Sequence, residues 1–237
     1  MLSEKYGRTY HYPFSLGTTS DDRINHTYWE DIREINTLVH TEKLDGENNC
    51  LSRYGVFARS HAAPTTSPWT SQLRQHWELL KNDLGDIELF GENLYAVHSI
   101  EYKRLETHFY VFAVRCLDKW LSWEEVKFYA ALFDLPTVPE LCTEQVNGLT
   151  AETLKQHVIC LAGEPSVFGS RDVLTGMDCT REGVVTRNAG EYLTADFARN
   201  VFKYVRQGHV QTDEHWTRHW KRARLVWESK QEKGGNE

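Results

Sequence analysis

Between residues 35 and 61 the chain reads INTLVHTEKLDGENNCLSRYGVFARSH, short β-prone runs broken at Asp45-Gly46 and Tyr54-Gly55. That pattern predicts short strands joined by tight turns. A different period follows. Trp69, Leu73, Trp77, Leu80 and Leu84 recur at helical spacing, with Ser67-Pro68 ahead of them and Gly85 behind. They predict a helix with Ser67 at the cap and Pro68 at its first position, ended by Gly85. Segments 86–90 and 108–115 return to strand character. Ser122 and Glu125 form a capping-box pattern, predicting a helix that runs to about Asp134 and stops before Leu135-Pro136. A shorter helix is predicted after Thr150, then strands near 183–187 and 201–205. The last predicted element is a helix from about Thr212, with Trp216, Trp220, Ala223 and Trp227 along one side to pack on the domain. The first forty residues are polar and turn-rich.

Strands and helices mix here without a regular βαβ beat, and neither GxGxxG nor GxxxxGK[ST] occurs. The dinucleotide and P-loop fingerprints are therefore missing. The expected class is α+β, with mainly antiparallel sheets flanked by helices. The length of 237 residues suits one large domain plus a small appendage, divided as 1–206 and a C-terminal helical extension over 207–237. The N-terminus lacks an apolar signal core, and no apolar run approaches the ~20 residues of a membrane span. The five cysteines, Cys50, Cys116, Cys142, Cys160 and Cys179, form no CxxC pair, so neither a zinc site nor a disulfide framework is indicated. Reduced thiols in a cytoplasmic protein are the expectation. A net charge of −7 argues against a protein that coats nucleic acid indiscriminately. Even so, Arg199, Lys203, Arg206, Arg218, Lys221, Arg222 and Arg224 crowd near the C-terminus. Such a stripe either tracks a phosphate backbone or is a solvated helix face, and charge alone favours the second.

The candidate chemistry begins at TEKLDGEN, residues 41–48. A lysine amine attacks phosphorus only when unprotonated, so a nucleophilic Lys43 needs burial or nearby cations to lower its ordinary pKa of about 10.4. Alone, K-x-D-G is as well explained by a hairpin turn with an exposed lysine. Five further segments arrive in order. ARSH carries Arg59, FGENLY carries Glu92 and FYVFAVR carries Phe112. EGVVTR carries Glu182, and VFKYVR carries Lys203 and Arg206. His209, His215 and His219 also invite a metal-cluster reading, but surface histidines near a helix start explain them.

In that order the segments resemble the motifs of the covalent nucleotidyltransferase superfamily, which contains DNA ligases, RNA ligases and mRNA capping enzymes. GENLYAVHSIEY and KYVRQGHVQTDEHW resemble bacterial and phage RNA ligases in particular, and the likeness covers nearly all of residues 9–216. The resemblance implies an adenylation-domain fold and an ATP-dependent RNA ligase that seals RNA 3′-hydroxyl and 5′-phosphate ends, working as a monomer. It implies that Lys43 carries AMP, Glu42 contacts the adenine amino group, Arg59 holds the ribose and Phe112 stacks on the base. Glu92 and Glu182 would face the ribose and the waters of a Mg²⁺ or Mn²⁺ ion, and Asn48 would sit near the phosphates. Lys203 and Arg206 would grip the α-phosphate, although Arg206 follows Lys203 by three residues where the family's closing motif usually separates two basic residues by one. Some thirty residues follow that motif, too few for the five strands of an OB barrel, so a minimal form without one is expected. Three alternatives stay open: a ligase for DNA nicks, an RNA-binding protein on a degenerate ligase scaffold, and transfer of AMP or GMP to a protein or a cap.

Overall fold

The computed structural model describes residues 3–208 and 220–228. In chain order its strands are β1 (Tyr10–His11), β2 (Thr37–Lys43), β3 (Glu47–Ser52), β4 (Gly55–Ala58), β5 (Ile87–Asn93), β6 (Ile100–Tyr102), β7 (Phe109–Cys116), β8 (Lys119–Trp120), β9 (Glu140–Gln145), β10 (Pro165–Asp172), β11 (Asp178–Thr180), β12 (Gly183–Asn188), β13 (Tyr192–Leu193) and β14 (Val201–Val205). The helices are α1 (Tyr28–Ile32), α2 (Ser71–Leu80), α3 (Trp123–Leu132), α4 (Ala151–Gly163) and α5 (Phe197–Asn200).

Two large sheets dominate. One has the order β1-β14-β12-β2-β9 and the other β13-β8-β7-β5-β3-β4, with a small β11-β10-β6 sheet beside them. Every strand pair within these sheets is antiparallel except β1 with β14. The α+β expectation therefore holds. One apolar cluster joins the six-stranded sheet to α2 and α3 through Leu51, Leu73, Phe90, Val114 and Val126. A second joins the five-stranded sheet to α4 and α1 through Leu38, Val184, Phe202, Leu154, Val158 and Ile32.

The helix predicted from Ser67 is real but starts as a single 3-10 turn, Pro68–Thr70, before α2 proper. Ser67 makes no side-chain cap bond there; Pro68 alone marks the start. The capping box at Ser122 forms as read, with Glu125 N donating to Ser122 Oγ and Ser122 N donating to Glu125 Oε2. The helix after Thr150 is longer than expected, at 13 residues. Its reciprocal cap pairs Thr150 with Thr153, a partner outside the usual Glu/Gln signature.

The C-terminal helix is the main departure. Thr212 and Trp216 lie outside the described residues, as do His209, His215, Arg218 and His219. Residues 220–225 are extended rather than helical. They bridge Ala96 and Leu105 through Arg222 and Leu225, and only at 226–228 does a helical turn begin. Ala223 N donates to Tyr95 O, and His108 Nε2 lies 3.0 Å from Ala223 O. Trp220 packs on Trp69 and Tyr95, whereas Trp227 is half exposed, so no single aromatic face forms across the described part. Backbone pairing with the 95–105 segment outweighed the helical period.

Candidate active site

A cleft of about 440 Å³ lies between the two large sheets. Glu42, Lys43, Asn48, Arg59, Glu92, Phe112, Glu182 and Lys203 all line it. These side chains come from segments spread from residue 42 to residue 203. Arg206 does not line it. Side chains on a strand alternate in direction, so an offset of three from Lys203 sends Arg206 away from the side that Lys203 faces.

Lys43 ends β2, and its register partner on β12 is Gly183. That pairing sets the neighbouring Glu182 beside the amine, with Lys43 Nζ 2.7 and 2.8 Å from its two carboxylate oxygens. Gly183 permits the pairing: a Cβ there would sit 1.9 Å from Tyr204 O on β14. The Asp45-Gly46 turn is equally tight, since a Cβ on Gly46 would fall 2.5 Å from Asn93 O. Gly46 N donates to Glu92 Oε1 at 3.0 Å, so the turn after the lysine also holds the second carboxylate. Asp45 Oδ2 accepts from Ser99 N, Ser99 Oγ and Ile100 N, tying the 98–100 segment to the same turn.

The electrostatics differ from the sequence expectation. Burial alone would lower the Lys43 pKa, but the charges of Glu182 and Glu92 outweigh it and hold the amine above its ordinary value. The side chains beside it are carboxylates more than cations, so the amine rests as an ammonium. Burial pushes the Glu92 carboxyl up to about 8 despite Lys43, with Glu182 and Asp45 adding to the rise. A carboxyl in that state is one that an added cation would ionise. The oxygen-only donor set of Glu92 and Glu182 fits Mg²⁺ or Mn²⁺.

Glu42 is buried, and burial raises its pKa. Its Oε2 accepts from Val167 N at 2.9 Å, while Oε1 has no hydrogen-bond partner. Asn48 Oδ1 is likewise buried and unpartnered. A buried acceptor left unmade costs roughly 1–3 kcal/mol, so each of these cleft oxygens suits a donor from a ligand. Phe112 belongs to the core and to the cleft at once, with Tyr6 edge-on to it at 5.0 Å. Arg59 is exposed just past β4.

Sequence reasoning missed several groups. Arg187 lines the cleft, donates to Thr41 Oγ1 at 3.1 Å and to Phe112 O, and lies over the Trp123 ring. The signal was present, because Val185 and Arg187 alternate along β12 and both line the cleft. Tyr6, Gly7, Asp45 and His98 also line it. The LGTTSDD stretch supplies Asp22, which pairs with Lys203 at 3.3 Å and His11 at 3.0 Å and accepts from Thr19 N and Oγ1. Burial, then the Lys43 charge, lower the Lys203 pKa. No sequence spacing links positions 22 and 203; the β1-β14 pairing sets His11 opposite Lys203, and His11 N donating to Arg23 O holds the segment with Asp22 beside both.

Solved structures share the fold. A point mutant of the Naegleria gruberi RNA ligase with ATP and Mn matches with TM-score 0.52 and 19% identity, over 83% of this chain and 58% of that one. An apo mutant of the same ligase matches with TM-score 0.52 and 20% identity, over 86% and 59%. An archaeal ATP-dependent RNA ligase matches with TM-score 0.51 and 15% identity, over 85% and 48%. The chain thus spans about half to three-fifths of the length of these ligases. The fold is that of these RNA ligases. Residues 36–205, most of the sequence, match the RNA ligase family, and the chain belongs to it. Comparison with curated proteins finds no match. Among the described residues, no helix is long and apolar enough to cross a membrane.

Proposed function

We propose that this protein is an ATP-dependent RNA ligase that joins RNA 3′-hydroxyl and 5′-phosphate ends through a lysyl-AMP at Lys43. The observation that carries this reading is the convergence of eight separated side chains on one cleft, with the Lys43 amine held against Glu182. Family membership supports it. Cytoplasmic location is part of the proposal.

In the first step the Lys43 nitrogen forms a bond to the α-phosphorus of ATP. The bond to pyrophosphate breaks, and its electrons leave with that group. The lysine must first release its proton to solvent. AMP then passes to an RNA 5′-phosphate, and attack by a 3′-hydroxyl expels AMP. Glu92 and Glu182 would hold Mg²⁺ or Mn²⁺, which supplies positive charge to the phosphates when bound. Lys203, set by Asp22, and Arg187 add fixed cations where charge develops. The unpartnered Glu42 Oε1 suits the exocyclic amine of adenine, and the Phe112 ring offers a face for the base.

The test is incubation with ATP or GTP labelled at the α-phosphate, followed by peptide mapping and a chase. The expected outcome is label on Lys43 with ATP only, lost in Lys43→Ala and chased onto 5′-phosphorylated RNA. Label that moves onto nicked DNA but not RNA would overturn the substrate assignment. Absence of any covalent label would overturn the mechanism.

A further inference from the structure

On the face of the five-stranded sheet covered by α4 lies a second group of chemically active side chains. His40 of β2 and Cys142 of β9 are register partners, and Glu144 follows Cys142 on the same face of its strand. His157 reaches them from α4. Glu144 lies between the imidazoles, with Oε1 2.6 Å from His40 Nε2 and Oε2 3.1 Å from His157 Nδ1. Cys142 Sγ lies 3.8 Å from His157 Nε2. One donor atom from each of His40, Cys142 and His157 falls within 4.8 Å of the others.

We propose that His40, Cys142 and His157 form a binding site for a zinc-like transition metal, with Glu144 beside it, clamping β2, β9 and α4 together behind the strand that carries Lys43. Two imidazoles and a thiol are donor types of tetrahedral zinc centres and leave a fourth position for water, while Glu144 Oε2 at His157 Nδ1 is the kind of carboxylate contact that orients a ligating histidine. His40 shows the supporting contact expected of a ligand: its Nδ1 is 2.9 Å from Thr186 Oγ1, which fixes the ring and leaves Nε2 free to face the cluster. The burial is graded. His40 is fully buried, Cys142 is partly buried, and the His157 side chain is 38% exposed, so an ion has a way in from solvent. The three donor atoms lie within 4.8 Å of one another, so side-chain shifts of an ångström or so would bring them onto one ion. Binding breaks the hydrogen bond between His40 Nε2 and Glu144 and releases the Cys142 thiol proton to solvent while an S–metal bond forms. No oxidation is involved.

This site differs in kind from the cleft. The cleft carboxylates suit a hard ion held through water, whereas thiolate and imidazole select a softer one. The proposal does not depend on the ligase reading. It also shows why cysteine spacing was silent: the ligands come from three elements, and none of the pairs has the short spacing of a sequence-local zinc motif.

The experiment uses the full chain, stripped of metal and titrated with Zn²⁺ or Co²⁺, alongside Cys142→Ser, His157→Gln and Glu182→Gln. Circular dichroism verifies that each variant folds. The parent is expected to bind one Zn²⁺ per chain, to gain a thiolate-to-cobalt charge-transfer band with Co²⁺, and to melt at higher temperature with Zn²⁺. Cys142→Ser should lose the charge-transfer band and His157→Gln should bind zinc at least tenfold more weakly, while Glu182→Gln keeps both signals. A parent without the band, or with zinc affinity equal to that of the folded Cys142→Ser and His157→Gln variants, overturns the proposal. So does loss of the metal only in a His209→Gln/His215→Gln/His219→Gln variant, which would place the ion on the C-terminal histidines.

Discussion

Lys43 rests as an ammonium because Glu182 grips it at 2.7 Å, which outweighs the effect of burial. The same contact that stores the proton positions the nitrogen. Glu182→Gln is therefore expected to slow self-adenylylation by roughly 10²-fold, the scale of removing one preorganised charge from a reaction centre. Single-turnover labelling with ATP checks it, and an undiminished rate would separate the ion pair from the chemistry. Behind the cleft, His11 is buried and its pKa is lowered from 6.5 to about 4, by burial first and then by the charge on Lys203. Between those values the unfolded chain binds a proton that the folded chain refuses. His11 thus contributes stability that is complete above pH 6.5 and is lost as pH falls to about 4, worth on the order of 1–3 kcal/mol. Asp22, 3.0 Å from His11, is held well below the usual carboxylate range and stays ionised across that window. Urea melts at pH 7 and pH 4.5 should show a smaller loss for His11→Gln than for the parent; equal losses would assign the slope to other groups.

At the scale of elements, the site depends on how closely β12 packs between β2 and β14. Gly183 faces Lys43 on one side and Val205 on the other. A methyl group there meets the Tyr204 carbonyl, which is backbone and has no rotamer to yield. Gly183→Ala should cost about 3 kcal/mol and spread the strands that place Glu182 against the amine. A thermal melt measures the first effect and adenylylation rate the second. An unshifted melting temperature would mean that β12 relaxes freely. The elements themselves were largely legible. The capping box at Ser122, the Pro68 start and the Asp45-Gly46 turn are local signals, and each appears where residue chemistry put it. Strand β9, by contrast, was not read, because Glu140–Gln145 is polar and only partly buried at the sheet edge. Its strand character comes from pairing with β2.

For the whole molecule, the chain beyond β14 matters most. Residues 220–228 return to the body rather than projecting from it. Ala223 and Leu225 are in the main core cluster, and Arg222 pairs with Glu228 and lies over Tyr95. Ending the chain after Gly208 should therefore lower the melting temperature by several degrees and expose apolar surface to a hydrophobic dye. An unchanged melt would show that the segment docks without contributing stability. The pairing of Arg222 also alters the stripe of basic residues read near the C-terminus. Its charge is partly spent within the fold.

What the sequence determined by itself was the ordered set of motifs, from Lys43 through Lys203, and with it the family and the α+β class, because those signals are short and local. Tertiary structure alone decided which of those side chains meet. It seated eight in the cleft and turned Arg206 away, since side-chain direction follows strand alternation rather than motif order. It also joined Asp22 to Lys203, and His40 to Cys142 and His157. The residues of each group come from separate elements, and only long-range strand pairing and helix packing close those gaps.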